Sequence, residues 1–133
     1  MKSKFSQLAA VLVFLCTAAA QAFGATVFFI GLEDGATVES PVKMQFGVEG
    51  MTVRPAGTME ADTGHFHLLI DTPALPKGEL IPFDESHLHF GKGQTEVEIP
   101  LPPGNHTLTL LFADGQHHSY GPELSQTIKI HVQ

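Results

Sequence analysis

Hydrophobic and polar residues alternate in short runs along most of the chain, and Gly, Pro, Asp and Asn separate one run from the next. This is the period-two pattern of half-buried strands punctuated by turns. It predicts strands near 26–31, 42–48, 64–71, 87–90, 94–100, 105–112 and 126–132. No segment shows convincing helical periodicity. Short strands in this number, with turn signals between them, imply two antiparallel sheets packed as an all-β sandwich. The alternation also assigns faces: Phe66, Leu68, Ile70, Leu88, Leu108 and Leu110 are expected in the core. Segments 50–63 and 72–86 read as loops. The second contains Pro73, Pro76 and Pro82, and it is long for a hairpin connection, a length at which ordered loops are more often functional.

The start of the chain follows another pattern. Met1-Lys2-Ser3-Lys4 is basic, an apolar run extends from Leu8 to Ala20, and Ala20-Gln21-Ala22 ends it with small residues. These three features form a secretory signal, expected to be cleaved after Ala22, and the apolar run is short for a membrane span. Leu15 precedes Cys16 where a lipoprotein would carry a small residue, so a lipid anchor is not expected. The remaining residues, 23–133, suit a single domain placed in the periplasm or outside the cell, with no membrane insertion after cleavage.

Charge and cysteine content narrow the chemistry. The whole chain carries a formal charge of −7, and loss of Lys2 and Lys4 with the signal makes the remainder two charges more acidic. Nucleic acid is therefore an improbable partner. Cys16, the single cysteine, departs with the signal, so metal ligands must be nitrogen, oxygen or thioether sulfur. All eight histidines lie beyond residue 22.

Two H-x-H pairs stand out. In a strand, residues two apart share a face and lie about 6.7 Å apart along the chain. His65 and His67 then point away from Phe66, Leu68 and Ile70, and His87 and His89 point away from Leu88 and Phe90. Both pairs are expected to face outward. On adjacent strands, about 4.8 Å apart, they can offer up to four imidazoles to one ion. Imidazole suits copper and zinc. His117, after the Asp114-Gly115 turn, is expected to reach the same site from its loop, while His118 is expected to be exposed. The metal ligands are thus expected to be His65, His67, His87, His89 and His117, with copper as the ion and zinc as the alternative. His106 lies on the inward face of its strand and reads as a structural, hydrogen-bonded histidine; His131 reads as surface. Met51 and Met59 read as gap-filling or loop residues.

The opening Gly31-Leu-Glu-Asp-Gly-Ala-Thr-Val-Glu-Ser-Pro-Val42 and the ending from Pro103 to Val132 resemble bacterial immunoglobulin-like domains. That likeness implies an immunoglobulin-like sandwich and says little about function. More specifically, Gly64-His65-Phe66-His67-Leu68-Leu69-Ile70-Asp71, His87-Leu-His-Phe-Gly-Lys-Gly-Gln-Thr95, Pro103-Gly-Asn-His106 and Ala113-Asp-Gly-Gln-His117 followed by Ser119-Tyr-Gly-Pro122 resemble a family of secreted bacterial domains of unknown function. The resemblance implies that His65, His67, His87, His89, His106 and His117 are family positions and that His118 and His131 are not. It brings no activity with it.

The leading functional expectation is an exported protein that holds copper for storage, delivery or protection. A second class is a copper-dependent oxidoreductase resembling superoxide dismutase, although the disulfide cysteines and Asp-rich zinc loop of those enzymes are missing. A third is a metal-free envelope interaction module that binds another envelope protein. Hydrolase chemistry finds little support: Ser86 beside His87 and Ser119 beside His118 are only chain neighbours. No Gly-rich loop followed by a helix exists to cradle phosphate.

Overall fold

The computed structural model describes residues 24–133; the expected signal segment 1–22 lies outside the described residues. Nine strands and one short 3-10 turn follow in order: β1 (Thr26–Ile30), β2 (Ala36–Val38), β3 (Val42–Glu49), β4 (Thr52–Val53), β5 (Thr63–Ile70), β6 (His87–His89), β7 (Glu96–Ile99), β8 (Gly104–Ala113) and β9 (Ser125–Val132), with the turn at Pro122–Leu124. They form two sheets. One has the order β1-β3-β7, and the other β2-β9-β8-β5-β4, with β6 also paired to β5.

The strands expected from the alternation all form. Two further short ones do not show in the pattern: β2 lies in the expected 31–42 turn region and β4 in the expected 50–63 loop. Both pair in parallel, β2 with β9 and β4 with β5, so the architecture departs from a purely antiparallel seven-stranded sandwich. The segments Ala36–Val38 and Thr52–Val53 offer no apolar–polar alternation to read, and backbone pairing with a longer neighbour makes them strands.

The main core lies between the sheets. Val27, Phe29, Val42, Met44 and Phe46 face Phe66, Leu68, Leu108, Leu110, Phe112, Ile128 and Ile130. Phe46 links the layers, with its ring centroid 5.4 Å from those of both Phe66 and Phe90. Phe66, Leu68, Leu108 and Leu110 are fully buried as expected, and Ile70 and Leu88 are partly buried against the same core. Met51 packs on this core too.

The opposite face of β5 and β8 departs from expectation. It was expected to meet solvent, yet Leu69, Leu111, Ala113 and Thr109 on it are buried. The 72–86 segment lies across it as a strap. Ile81 is fully buried in a second cluster with Leu69, Leu111 and Ala113, joined by Ala74 and Leu75. Hydrogen bonds bind the strap to the segment after β8: Gly78 N–H to Ser119 O at 2.8 Å, Ser119 N–H to Glu79 O at 2.8 Å, and Ile81 N–H to His117 O at 2.9 Å. Ser119 Oγ adds a bond to Leu75 O at 3.0 Å. A sheet face that is apolar on both sides requires such a cover, because exposed Leu69 and Leu111 would forfeit roughly 2 kcal/mol of burial each.

Candidate metal centre

The H-x-H spacing works on β5 as the period predicts, with His65 and His67 on the face away from the main core. Because the strap covers that face, both side chains are 0% exposed rather than solvated. Strand β6 pairs antiparallel with β5 in a register that sets His67 opposite His89, Leu68 opposite Leu88 and Leu69 opposite His87. Paired residues share a face, so His89 arrives beside His67.

His117 comes from the turn after β8. Asp114 shapes this turn, its Oδ1 accepting the N–H groups of Gln116 at 2.8 Å and His118 at 3.0 Å. His117 itself adopts φ 65°, a left-handed conformation that is uncommon for a residue with a Cβ. Such backbone geometry persists when its surroundings over-determine it, and it is found preferentially at functional sites. A second loop supports the turn from below: Gly57 N–H donates to Gly115 O at 2.8 Å, and a Cβ at Gly115 would collide with the Thr58 backbone.

Four imidazoles meet as a result. His65 Nε2 is 3.1 Å from His117 Nδ1, His67 Nε2 is 3.1 Å from His89 Nδ1, and His89 Nδ1 is 3.2 Å from His117 Nδ1. One nitrogen from each of His65, His67 and His117 lies within 4.8 Å of the others, a set able to hold a metal ion. The rings form a closed cycle. Neighbouring centroids are 4.6 Å apart for His65–His67, 4.5 Å for His67–His89, 5.0 Å for His89–His117 and 4.9 Å for His117–His65. Nitrogens bound to one ion at about 2.0–2.1 Å stand roughly 2.8–3.4 Å apart, from right-angled to tetrahedral coordination. The three short nitrogen separations fall in that range.

Protonation agrees with a ligand role. Burial, and next the neighbouring His117 and His89, lower the pKa of His65 to about 4. Burial, reinforced by the other histidines, lowers that of His67 to about 2. His89 is lowered as well, chiefly by burial. These rings are neutral at physiological pH, the form that binds metals. His89 Nε2 donates to Pro82 O at 2.7 Å, which leaves the Nδ1 lone pair turned into the cluster. This is the outer hydrogen bond that commonly orients a metal-binding histidine.

The Nδ1 atoms of His65 and His67 are buried without a hydrogen-bond partner among the described residues. If they carry the ring protons, both Nε2 lone pairs point into the cluster, where the His89 lone pair already points. Lone pairs facing one another at 3.1–3.2 Å repel unless protons or a cation lie between them. The donor set fits a transition metal that accepts nitrogen.

The remaining histidines separate from this group. His87, expected among the ligands, shares the face of His89 but turns to Asp84, with Nδ1 2.6 Å from Oδ1. The hydrogen bond from His87 holds the Asp84 carboxyl below the usual carboxylate range. A carboxylate three residues away outcompetes the cluster for this ring, and H-x-H spacing alone does not reveal that competitor. His106 is the structural residue expected of it. Its Nδ1 lies 2.8 Å from Asp71 Oδ2 and its Nε2 2.8 Å from Pro102 O. With an acceptor on each side both nitrogens donate, and the bond to Asp71, then that to Pro102, raises its pKa. His118 is partly exposed, with Nδ1 3.5 Å from Asp114, and His131 bonds Asn105 Oδ1 at 2.7 Å on the surface. Met59 is exposed. Phe83 passed unnoticed in the sequence: its ring stacks on His89 with centroids 3.7 Å apart and planes 12° from parallel. A single Phe in a proline-rich loop carries no local signal of such a role.

Fold and site together define a two-sheet, β-sandwich-like protein with a buried cluster of histidines on the outer face of one sheet, a cluster capable of coordinating a metal ion. The chain belongs to the family described as Domain of unknown function (DUF4399), which it matches over residues 44–133. That range contains every residue of the cluster. No curated protein and no solved structure matches the chain.

Proposed function

We propose that this is an exported metal-binding protein that holds a copper ion through His65, His67, His89 and His117 for storage, delivery or protection. The observation that carries the reading is the convergence of four imidazole nitrogens at neighbouring separations of 3.1, 3.1 and 3.2 Å. All-nitrogen donors hold copper(II) most tightly among the divalent first-row metals. Zinc is the alternative ion.

Export rests on the basic start, apolar run and Ala20-Gln21-Ala22 of the leader, and it places the domain in the periplasm or outside the cell. In this reading the sandwich is of immunoglobulin-like type and serves as a rigid frame. Sites built on strands hold their geometry better than sites built on loops, and here two strands supply three of the four ligands.

Elemental analysis of the untagged protein, purified from its native compartment, tests the reading. One equivalent of copper per chain is the expected result. Protein that carries no transition metal, and that takes up neither copper nor zinc when each is supplied, overturns it.

A further inference from the structure

The four clustered rings differ in how they meet solvent. His65 and His67 lie under the strap at 0% exposure, while His89 and His117 are partly exposed. Among the described residues, the side of His89 and His117 is therefore the one from which an ion held by the cluster can be reached. Phe83 stands on that side. It stacks on His89 at 3.7 Å and meets His117 edge-on at 5.2 Å, although the side chain is itself 72% exposed. A large apolar side chain left this open contributes little to folding, so its contact with two of the four rings calls for another explanation.

The backbone around Phe83 tightens the connection. Pro82, next in the chain, accepts the His89 Nε2 hydrogen bond at 2.7 Å. On the other side Asp84 accepts from Ser86 N–H at 2.9 Å and holds His87 at 2.6 Å, bracing the turn. Residues 82–84 thus grip His89 by a hydrogen bond and a ring stack at once. Release of an ion requires that a ligand swing away so that a competing donor can attack. His89 is one of the two partly exposed rings that can do so, and the Phe83 stack opposes its swing.

We propose that Phe83 is the positioning residue that controls metal exchange: it holds His89 in its binding rotamer and shields the one open side of the cluster. The proposal rests on the metal-binding reading above and adds to it the route and the rate of exchange. A Phe83-bearing site keeps its ion against small competing chelators, and a site without the ring releases it readily.

The test compares the native protein, Phe83→Ala and Phe83→Leu, each loaded with copper(II) and then mixed with excess EDTA while the copper absorbance is followed. Loss of a stacked aromatic contact predicts release faster by roughly threefold to tenfold in Phe83→Ala. Phe83→Leu, which covers the site without stacking, is expected to fall between the two. The metal-free melting temperature should fall only slightly in the two variants, because Phe83 is largely exposed and buries little area. Imidazole proton shifts of His89 in the metal-free protein should move in Phe83→Ala, a readout that needs no ion. Release rates equal to the native rate, with the His89 shift confirming loss of the stack, overturn the proposal. Failure of the native protein to bind copper or zinc at all overturns the metal reading and this proposal together, whereas normal binding with unchanged release removes this proposal alone.

Discussion

His67 and His89 face each other across an antiparallel pair of strands, and their Nε2 and Nδ1 atoms lie 3.1 Å apart. Directly paired residues in such a ladder have side chains on one face. The register therefore brings one histidine from each H-x-H motif, 22 residues apart, into one half of a cluster, and His65 and His117 complete it.

Replacing His67 or His89 with Ala should remove most of the rise in melting temperature that copper or zinc produces in the native protein. An ion that binds only the folded state stabilises it in proportion to the logarithm of its concentration over Kd. His131→Ala, on the surface beside Asn105, should keep the full effect. Thermal melts with and without each ion decide this. Equal metal-induced shifts in His67→Ala and the native protein would contradict the assignment.

In the metal-free protein, stability should fall as pH drops below about 6.5, the ordinary histidine value. The unfolded chain protonates there, while folded His65 and His67 resist protonation down to about 4 and about 2. Over that interval the unfolded state binds more protons, so acid favours it. His106 acts in the opposite sense: its raised pKa contributes stability that is full below 6.5 and fades as pH rises through the folded value. Urea melts between pH 6.5 and 5 in the presence of a chelator isolate the effect, since carboxylates stay ionised there. A flat profile across that window would argue against buried neutral histidines.

Ile81→Ala should cost about 2–5 kcal/mol, the usual range for emptying a fully buried aliphatic site. Ile81 is the strap's anchor over Leu69 and Leu111. The same change should weaken metal binding, because a strap that loses its Ile81 side chain covers His65 and His67 less closely, even though the backbone bond from residue 81 to the His117 carbonyl is kept. Chemical denaturation and copper titration of the variant measure the two effects separately.

Gly115→Ala should displace the turn that carries His117. The added methyl would press on the Thr58 backbone, which has no flexible end to yield, at a cost of roughly 1–3 kcal/mol. Metal affinity should fall while the main core persists, since Phe66, Leu68 and Leu110 lie between the sheets and not beside this turn. Near-native circular dichroism with weakened copper binding is the expected outcome.

Mass spectrometry of the exported protein should find a start at or within a few residues of Phe23. Retention of Met1 to Ala22 would contradict the proposed export.

Local pattern determined seven of the nine strands of the described residues and the faces on which His65, His67, Leu68 and Leu110 lie, because a strand's period of two is written directly into residue spacing. The structural role of His106 was also legible, from its place on the inward face of its strand. Only the tertiary structure decided that the shared outer face of β5 and β8 is buried, since residues 72–86 fold back over it and Ile81 meets Leu111 and Ala113, which are distant in sequence. It alone separated His87 from His89. Identical spacing put both on one face, and a hydrogen bond to Asp84 drew one ring away while register with His67 drew the other in. It also recruited Phe83, whose stacking on His89 depends on where a loop is held in space. Periodicity fixes the direction in which a side chain leaves the backbone, but what it meets there depends on long-range packing that no local pattern encodes.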